Sequence, residues 1–127
     1  MAFDYSVEAL RLCSERAATA GLQIETVCID LEAPQLDLGT ERFELVSVFN
    51  YLHRPLIPIL TRSVRRGGIV IYKTYTREQL QLGTGPKNPD FLLNENELPR
   101  LFDGFRHLLY RESCATEATA ALIAQRL

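Results

Sequence analysis

The sequence lacks the features that mark membrane and secreted proteins. No apolar run approaches the roughly 18 residues of a membrane-spanning helix. No basic segment followed by an apolar stretch opens the chain as a secretory leader would. Internal repeats and low-complexity segments are missing too. We therefore expect one cytoplasmic domain over residues 1–127, with no membrane partner.

Paired cysteines and an excess of positive charge are also missing. Cys13, Cys28 and Cys114 form no C-x-x-C pair, so the pattern indicates neither a disulfide framework nor a metal site. We expect reduced thiols that are buried or half-buried. Lys and Arg number 14 against 16 Asp and Glu, a formal net charge of −2. This balance gives no electrostatic reason to expect a nucleic-acid partner.

Hydrophobic periodicity predicts alternating helices and strands. The predicted helices cover residues 6–20, 55–66 and 96–102, and the predicted strands cover residues 22–29, 43–49, 69–74, 105–112 and 118–125. Residues 43–49 are nearly all apolar, as expected for a strand covered on both faces. The pattern indicates an α/β fold with a doubly wound, mostly parallel sheet. The C-terminal hairpin would add one antiparallel strand.

The stretch over residues 77–94 follows no helical or strand period. Loops of this length in compact domains are usually lids or binding loops. Gly83-Thr84-Gly85 is the one G-x-G sequence, but it does not lie between a strand and a helix. We interpret it as a source of lid flexibility and not as a cofactor loop.

Four stretches together carry a resemblance to a known family. They are residues 3–10 (FDYSVEAL), 27–31 (VCIDL), 43–54 (FELVSVFNYLHR) and 66–75 (RGGIVIYKTY). In this order and with these short spacers, they resemble the class I S-adenosylmethionine-dependent methyltransferases. The resemblance is to the small bacterial branch related to the tellurite-resistance methyltransferases, and it implies a partial Rossmann-like sheet.

The resemblance also implies that the front of the family fold is missing. The family sheet runs in strand order 3-2-1-4-5-7-6, and its first strand and glycine-rich loop would precede Met1. We expect an N-terminally truncated domain in which residues 22–29 and 43–49 have unpaired edges, and such edges recruit partners. Either these two strands pair directly, or two chains form a homodimer through the exposed sheet edges. We expect the homodimer.

The resemblance assigns cofactor-binding roles to five residues. Asp4 would accept hydrogen bonds from the cofactor ribose, or alternatively stabilise the start of the next helix by its charge. Asp30 would accept from the adenine amino group beside the Leu31 backbone, or act as a turn residue. Phe49 and Asn50 would line the pocket, or serve as a core residue and a turn residue.

Catalytic residues are only weakly indicated, by His53 and Tyr75. A histidine is a common base in catalysis, but His53 has no recognisable partner in the sequence, so we favour a structural or pocket-wall role. Tyr75 and residues 88–91 lie where the family's acceptor sits, or form an ordered surface loop. Arg54 would meet a substrate anion or cap the neighbouring strand.

The functional expectation is methyl transfer from S-adenosylmethionine to an unknown small acceptor. Without a glycine-rich loop, we expect weak or absent cofactor binding by a single chain, since association alone costs about 4 to 15 kcal/mol. The alternative is a non-catalytic remnant or homo-oligomeric interaction module that binds no cofactor. A small-molecule binder or hydrolase ranks lowest, because no nucleophile elbow or metal cluster supports it.

Overall fold

The computed structural model describes residues 1–127, which form two compact units, Met1–Leu36 and Asp37–Leu127. The first unit contains strand β1 (Ala2–Asp4), helix α1 (Val7–Thr19) and strand β2 (Thr26–Cys28). β1 and β2 pair in parallel, with Asp4 opposite Cys28. The predicted strand end, helix and second strand are all present.

Local sequence explains where α1 begins and ends. The Ser6 hydroxyl caps the helix by accepting a hydrogen bond from the Ala9 N–H at 3.1 Å. Gly21, at φ 72°, turns the chain just beyond the last helical residues. The predicted strand over residues 22–29 is too long, because its ladder partner β1 has only three residues and leaves Leu22 outside the sheet.

The second unit is built on a four-stranded sheet of β3 (Phe43–Phe49), β4 (Val64–Tyr75), β5 (Phe105–Cys114) and β6 (Ala118–Arg126). The spatial order is β3-β4-β6-β5. β3 and β4 are parallel, and β6 runs antiparallel to both of its neighbours. This confirms the mostly parallel α/β sheet with one antiparallel strand from the C-terminal hairpin. The order matches the 4-5-7-6 portion of the expected arrangement.

Short helices connect these strands. A 3₁₀ turn at Arg54–Leu56 leads into α2 (Ile57–Ser63), and α3 (Glu97–Leu101) precedes β5. The irregular segment contains two further 3₁₀ turns, Arg77–Leu82 and Pro89–Phe91. The second predicted helix extends too far, because α2 ends at Ser63 and the chain from Val64 already pairs with β3.

Gly68 allows β3 and β4 to approach closely near the start of their ladder. A Cβ atom at this position would lie 2.8 Å from Val64 Cγ1 and 3.0 Å from the Glu44 carbonyl oxygen. The register between the two strands shifts in the same region, between Phe43 and Leu45. Gly67 and Gly68 therefore lie within β4, where Gly68 permits close pairing with β3, and they do not end a helix.

The hydrophobic core covers one face of the four-stranded sheet. Val70 and Tyr72 lie on the same face of β4, Tyr72 is paired with Leu122 of β6, and none of the three has exposed surface. The Tyr72 ring lies 5.8 Å from the Phe102 ring, centroid to centroid. Further buried apolar side chains of this unit come from α2, α3 and the connecting segments, among them Leu52, Leu56, Leu60, Leu92, Leu93 and Leu98.

The other face of the sheet is only partly covered. The term open face denotes its apolar residues Leu45, Phe49, Ile69, Ile71, Leu109 and Ile123. Leu45 is 56% exposed and Phe49 is 57% exposed, so the prediction that β3 is covered on both faces is wrong for this chain. Direct pairing between β2 and β3 is also wrong, since β3 has β4 as its ladder partner and β2 belongs to the other sheet.

A further sequence expectation concerns the exposure of the three cysteines. Cys13 is half-buried, but Cys28 and Cys114 are exposed, so the expectation of buried thiols is wrong for these two. Both lie at the ends of strands, where neighbouring elements give little cover.

None of the helices combines the length and apolar character needed to cross a bilayer.

Candidate functional site

Asp4 ends β1 and is half-buried. Its Oδ1 accepts a hydrogen bond from the Ser6 N–H at 2.7 Å, and its backbone carbonyl accepts from the Ile29 N–H at 2.9 Å. The first bond sets the turn that leads into α1. Because only one carboxylate oxygen is used, Oδ2 can still accept a hydrogen bond from a ligand.

Asp30 lies two residues beyond the end of β2 and is exposed. Its Oδ1 accepts a hydrogen bond from the Glu32 N–H at 2.9 Å, which makes it a turn residue as well. Since β1 and β2 are parallel, Asp4 and Asp30 lie at the same edge of this two-stranded sheet. The carboxyl edge of parallel strands is where open α/β sheets bind ligands. Leu31, which follows Asp30, is half-buried.

Phe49 and Asn50 lie at the carboxyl end of β3, in the second unit. Asn50 adopts a left-handed conformation, with φ 56°, which asparagine tolerates better than most residues. Its N–H donates to the Lys73 carbonyl at 2.9 Å and closes the β3–β4 ladder. The turn role is therefore observed for Asn50, and the exposed ring of Phe49 argues against a core role.

The surroundings of His53 and Tyr75, the two weak catalytic candidates, provide little support for catalysis. The Tyr75 hydroxyl donates to Glu117 Oε1 at 3.4 Å, and partial desolvation together with the Glu117 charge raises the pKa of Tyr75. A raised pKa disfavours the phenolate that a tyrosine base requires. His53 is half-buried, and its side chain does not cap the 3₁₀ turn that follows it. Neither residue is paired with a group that would activate it.

The most extensive polar contact after the carboxyl end of β3 joins Arg54 and Glu97. Arg54 Nε lies 2.6 Å from Glu97 Oε1, and Arg54 Nη2 lies 2.9 Å from Glu97 Oε2. The guanidinium also donates to the carbonyl oxygens of Asp90 at 2.9 Å and Leu92 at 3.1 Å. The donors of Arg54 are engaged within the protein, with Glu97 and two carbonyl oxygens of the connecting segment, and not with a strand end as the capping role predicted.

This pairing also shifts both pKa values. The hydrogen bond from Arg54 is the main cause that lowers the pKa of the Glu97 carboxyl, and the Asn94 N–H, at 2.7 Å, adds to it. The same pairing raises the pKa of Arg54. Sequence reasoning did not identify Glu97, because 43 residues separate it from Arg54 and neither carries a local pattern that points to the other.

Gln79 is a second residue that the sequence did not reveal. It is buried, and its amide nitrogen donates to the Thr84 carbonyl at 2.8 Å while its Oε1 accepts from the Ala118 N–H at 2.7 Å. These bonds attach the first part of the irregular segment to β6. A shallow depression of about 370 Å³ is lined by Pro99, Arg100, Asp103 and His107, none of which is a predicted site residue.

Comparison with solved structures identifies the architecture. The structure of TehB from Haemophilus influenzae superposes with a TM-score of 0.74 at 16% identity, over 98% of this chain and 49% of that chain. N-methyltransferase NodS from Bradyrhizobium japonicum gives a TM-score of 0.70 at 13% identity, over 98% of this chain and 71% of that chain. An S-adenosylmethionine-dependent methyltransferase from Clostridium acetobutylicum gives 0.71 at 11% identity, over 98% and 73%.

The chain has the class I methyltransferase fold. At these identities the likeness shows the fold alone, and the chain spans about half the length of TehB. No protein-family model and no curated protein sequence matches it. The predicted fold is thus confirmed by structure, and the methyltransferase fold places Asp4 and Asp30 at the carboxyl ends of two adjacent parallel strands.

Proposed function

We propose that this chain carries the nucleoside-binding portion of an S-adenosylmethionine-dependent methyltransferase that acts on a small acceptor. The observation that carries the proposal is the position of Asp4 and Asp30, which follow neighbouring parallel strands of a methyltransferase fold. The structures similar to this one include proteins described as methyltransferases dependent on S-adenosylmethionine, and the similarity covers 98% of the chain.

Each carboxylate suits a part of the nucleoside. Asp4 Oδ2 accepts from the ribose hydroxyls, while Oδ1 keeps its bond to Ser6 and fixes the carboxylate plane. Asp30 accepts from the adenine amino group, beside the backbone of Leu31. The sulfonium methyl donor is already activated, so the protein's contribution is mainly alignment of donor and acceptor.

The proposal makes a definite statement about affinity. Each charge-assisted hydrogen bond contributes about 1.5 to 3 kcal/mol, and the loss of rigid-body freedom costs about 4 to 15 kcal/mol. None of the residues assigned above contacts the methionine half of the cofactor. We therefore expect weak binding in which adenosine and S-adenosylmethionine have similar dissociation constants.

A titration followed by ¹H–¹⁵N NMR tests this proposal. Adenosine and S-adenosylmethionine, each added up to millimolar concentration, should shift the amide signals of Ser6 and Glu32, whose N–H groups contact the two carboxylates. Asp4→Asn retains the turn-forming oxygen but loses the charge, and it should weaken binding about tenfold.

Asp103→Asn is the matched control, because Asp103 also accepts a hydrogen bond in its own turn, from the Gly104 N–H at 3.1 Å. This variant should bind as the unaltered protein does. Unchanged Ser6 and Glu32 signals at millimolar adenosine would refute the nucleoside-binding role, and so would an Asp4→Asn variant that binds as tightly as the control. A micromolar constant for S-adenosylmethionine alone would refute the affinity argument.

One observation favours a second role, as a homo-oligomeric module. β3 is an edge strand with seven residues, no proline and one charged residue, Glu44, and it borders the open face. Unprotected edges of this kind recruit further strands. We infer that two chains associate through β3 and the open face, which would bury Leu45 and Phe49.

Light scattering across a concentration series tests the association. The unaltered chain should shift from monomer to dimer with rising concentration, and Leu45→Lys should remain monomeric. Leu80→Lys provides the control, since Leu80 is similarly exposed at 45% but lies in the 3₁₀ turn Arg77–Leu82. A monomer at every concentration would exclude the dimer, and equal loss of dimer in both variants would exclude this surface.

A further inference from the structure

The Arg54–Glu97 pair crosses between two elements that the sequence keeps far apart. Arg54 begins the 3₁₀ turn after β3, and Glu97 begins α3. The guanidinium presents two nitrogens to the two oxygens of one carboxylate, the fork geometry that arginine alone provides. The side chains of Arg54 and Glu97 are 34% and 15% exposed, so solvent screens the pair less than a surface pair.

The same guanidinium holds the chain segment between them. It donates to the carbonyl oxygens of Asp90 and Leu92, on either side of Phe91. The next residue, Leu93, donates its N–H to the Tyr75 carbonyl at 2.9 Å and pairs with Thr76. The segment Pro89–Leu93 therefore ends beside the carboxyl end of β4, at the edge where open α/β sheets bind ligands.

The connecting residues just before Pro89–Leu93 are much less restrained. Residues 83–90 are exposed, except for the half-buried Pro86. Gly83 and Gly85 adopt left-handed conformations at φ 69° and φ 72°. Gln79 anchors this stretch at Thr84, and Arg54 anchors it again at Asp90. A stretch with few buried contacts between two fixed points opens at low free-energy cost.

We propose that Arg54 is a positioning residue that, oriented by Glu97, fixes the segment Pro89–Leu93 as one wall of the site where the methyl acceptor binds. The geometry of the wall depends on the Arg54–Glu97 pair. The statement that this wall faces a methyl acceptor rests on the proposed function. Loss of either side chain releases Phe91 and its neighbours while the four-stranded sheet stays intact, because the pair contributes no ladder hydrogen bond.

Amide hydrogen exchange on the full chain tests the proposal. The reporters are the N–H groups of Phe91 and Leu92 in this segment, which donate to the carbonyls of Asn88 and Pro89. Arg54→Gln and Glu97→Gln should each accelerate their exchange about tenfold. The double variant should be no faster than either single variant, and Arg54→Lys should recover part of the protection. Arg100→Gln, at an exposed position of α3, is the control and should change nothing.

The possible results separate this inference from the proposed function. Unchanged exchange at Phe91 and Leu92 would overturn the positioning role, and equal acceleration throughout β4 and β6 would overturn it by showing general loss of stability. Arg54→Gln should leave the adenosine-induced shifts of Ser6 and Glu32 unaltered. If adenosine gives no shifts in the unaltered protein, the nucleoside proposal fails while the exchange result still decides the role of Arg54.

Discussion

The Gln79 side chain accepts a hydrogen bond from the Ala118 N–H at 2.7 Å, across 39 residues of sequence. Ala118 is the first residue of β6, and Gln79 lies in the 3₁₀ turn that follows β4. Both residues are buried. One side-chain amide thus accepts from the first N–H of β6 and, by donating to Thr84, holds the start of the long connecting segment.

Replacement of Gln79 by methionine should destabilise the protein. Methionine has a similar length but leaves the buried Ala118 N–H without an acceptor, at a cost of about 1 to 3 kcal/mol. Urea unfolding measures the change. Gln81→Met, at an exposed position of the same turn, is the control and should be close to neutral. Equal stabilities of the two variants would contradict this account.

Gly68→Ala should destabilise the β3–β4 pairing. The added methyl group would lie 2.9 Å from the Arg65 carbonyl oxygen and 3.0 Å from that of Glu44, so backbone atoms must move. Overpacking of this kind costs about 1 to 3 kcal/mol.

The neighbouring Gly67→Ala provides the comparison in the same thermal unfolding experiment. This position has open space but a φ of 77°, so its cost of about 1 kcal/mol should come from backbone strain alone. Only Gly68→Ala should perturb the amide signals of Glu44 and Leu45. Unperturbed signals would show that the two strands do not approach as closely as described.

Stability should fall at alkaline pH because of Tyr72. Burial raises the pKa of the Tyr72 phenol above its usual value of 10, and its hydroxyl donates to the Tyr51 carbonyl at 2.8 Å. Above about pH 10 the unfolded chain loses this proton while the folded chain keeps it, so the free energy of unfolding decreases as pH rises.

Tyr72→Phe should be less stable at neutral pH by about 1 kcal/mol, because it lacks the hydrogen bond. It should also show a flatter decline above about pH 10, where the unfolded chain begins to lose the tyrosine proton. Tyr5→Phe, at an exposed position, should keep the full decline. An identical alkaline slope in Tyr72→Phe and the unaltered protein would refute the role of Tyr72.

Acid should weaken the Arg54–Glu97 pair. Arg54 lowers the pKa of Glu97 below its usual value of 4.5, so the contribution of this pair is present above that value and is lost as pH falls through the lowered pKa. Between neutrality and acid, the protein should lose more stability than the Glu97→Gln variant. Chemical denaturation at several pH values compares the two, and parallel curves would exclude the effect.

The sequence was sufficient for the features that depend on short-range pattern. Ser6 and Gly21 bound α1 because capping and left-handed turns involve only neighbouring residues. β3 has its predicted limits, and the hairpin of β5 and β6 follows from two apolar runs joined by a short turn. Asp4 and Asp30 were located at strand ends for the same reason.

Features that require distant partners could not be read in this way. The strand over residues 22–29 shrinks to Thr26–Cys28 because its length is set by β1, and the α2 limit at Ser63 is set by the pairing of Val64 with Phe43. An apolar strand such as β3 looks the same in sequence whether or not another element covers it, so the exposure of Leu45 was not foreseen.

What the sequence alone determined is the class of fold, the order of its elements and the carboxylates at two strand ends, since local propensity and hydrophobic period encode all three. What only the tertiary structure decided is which side chains meet. Arg54 with Glu97 and Gln79 with Ala118 become partners through chain topology, because hydrogen bonds between residues about 40 positions apart depend on how the strands and connecting segments are placed.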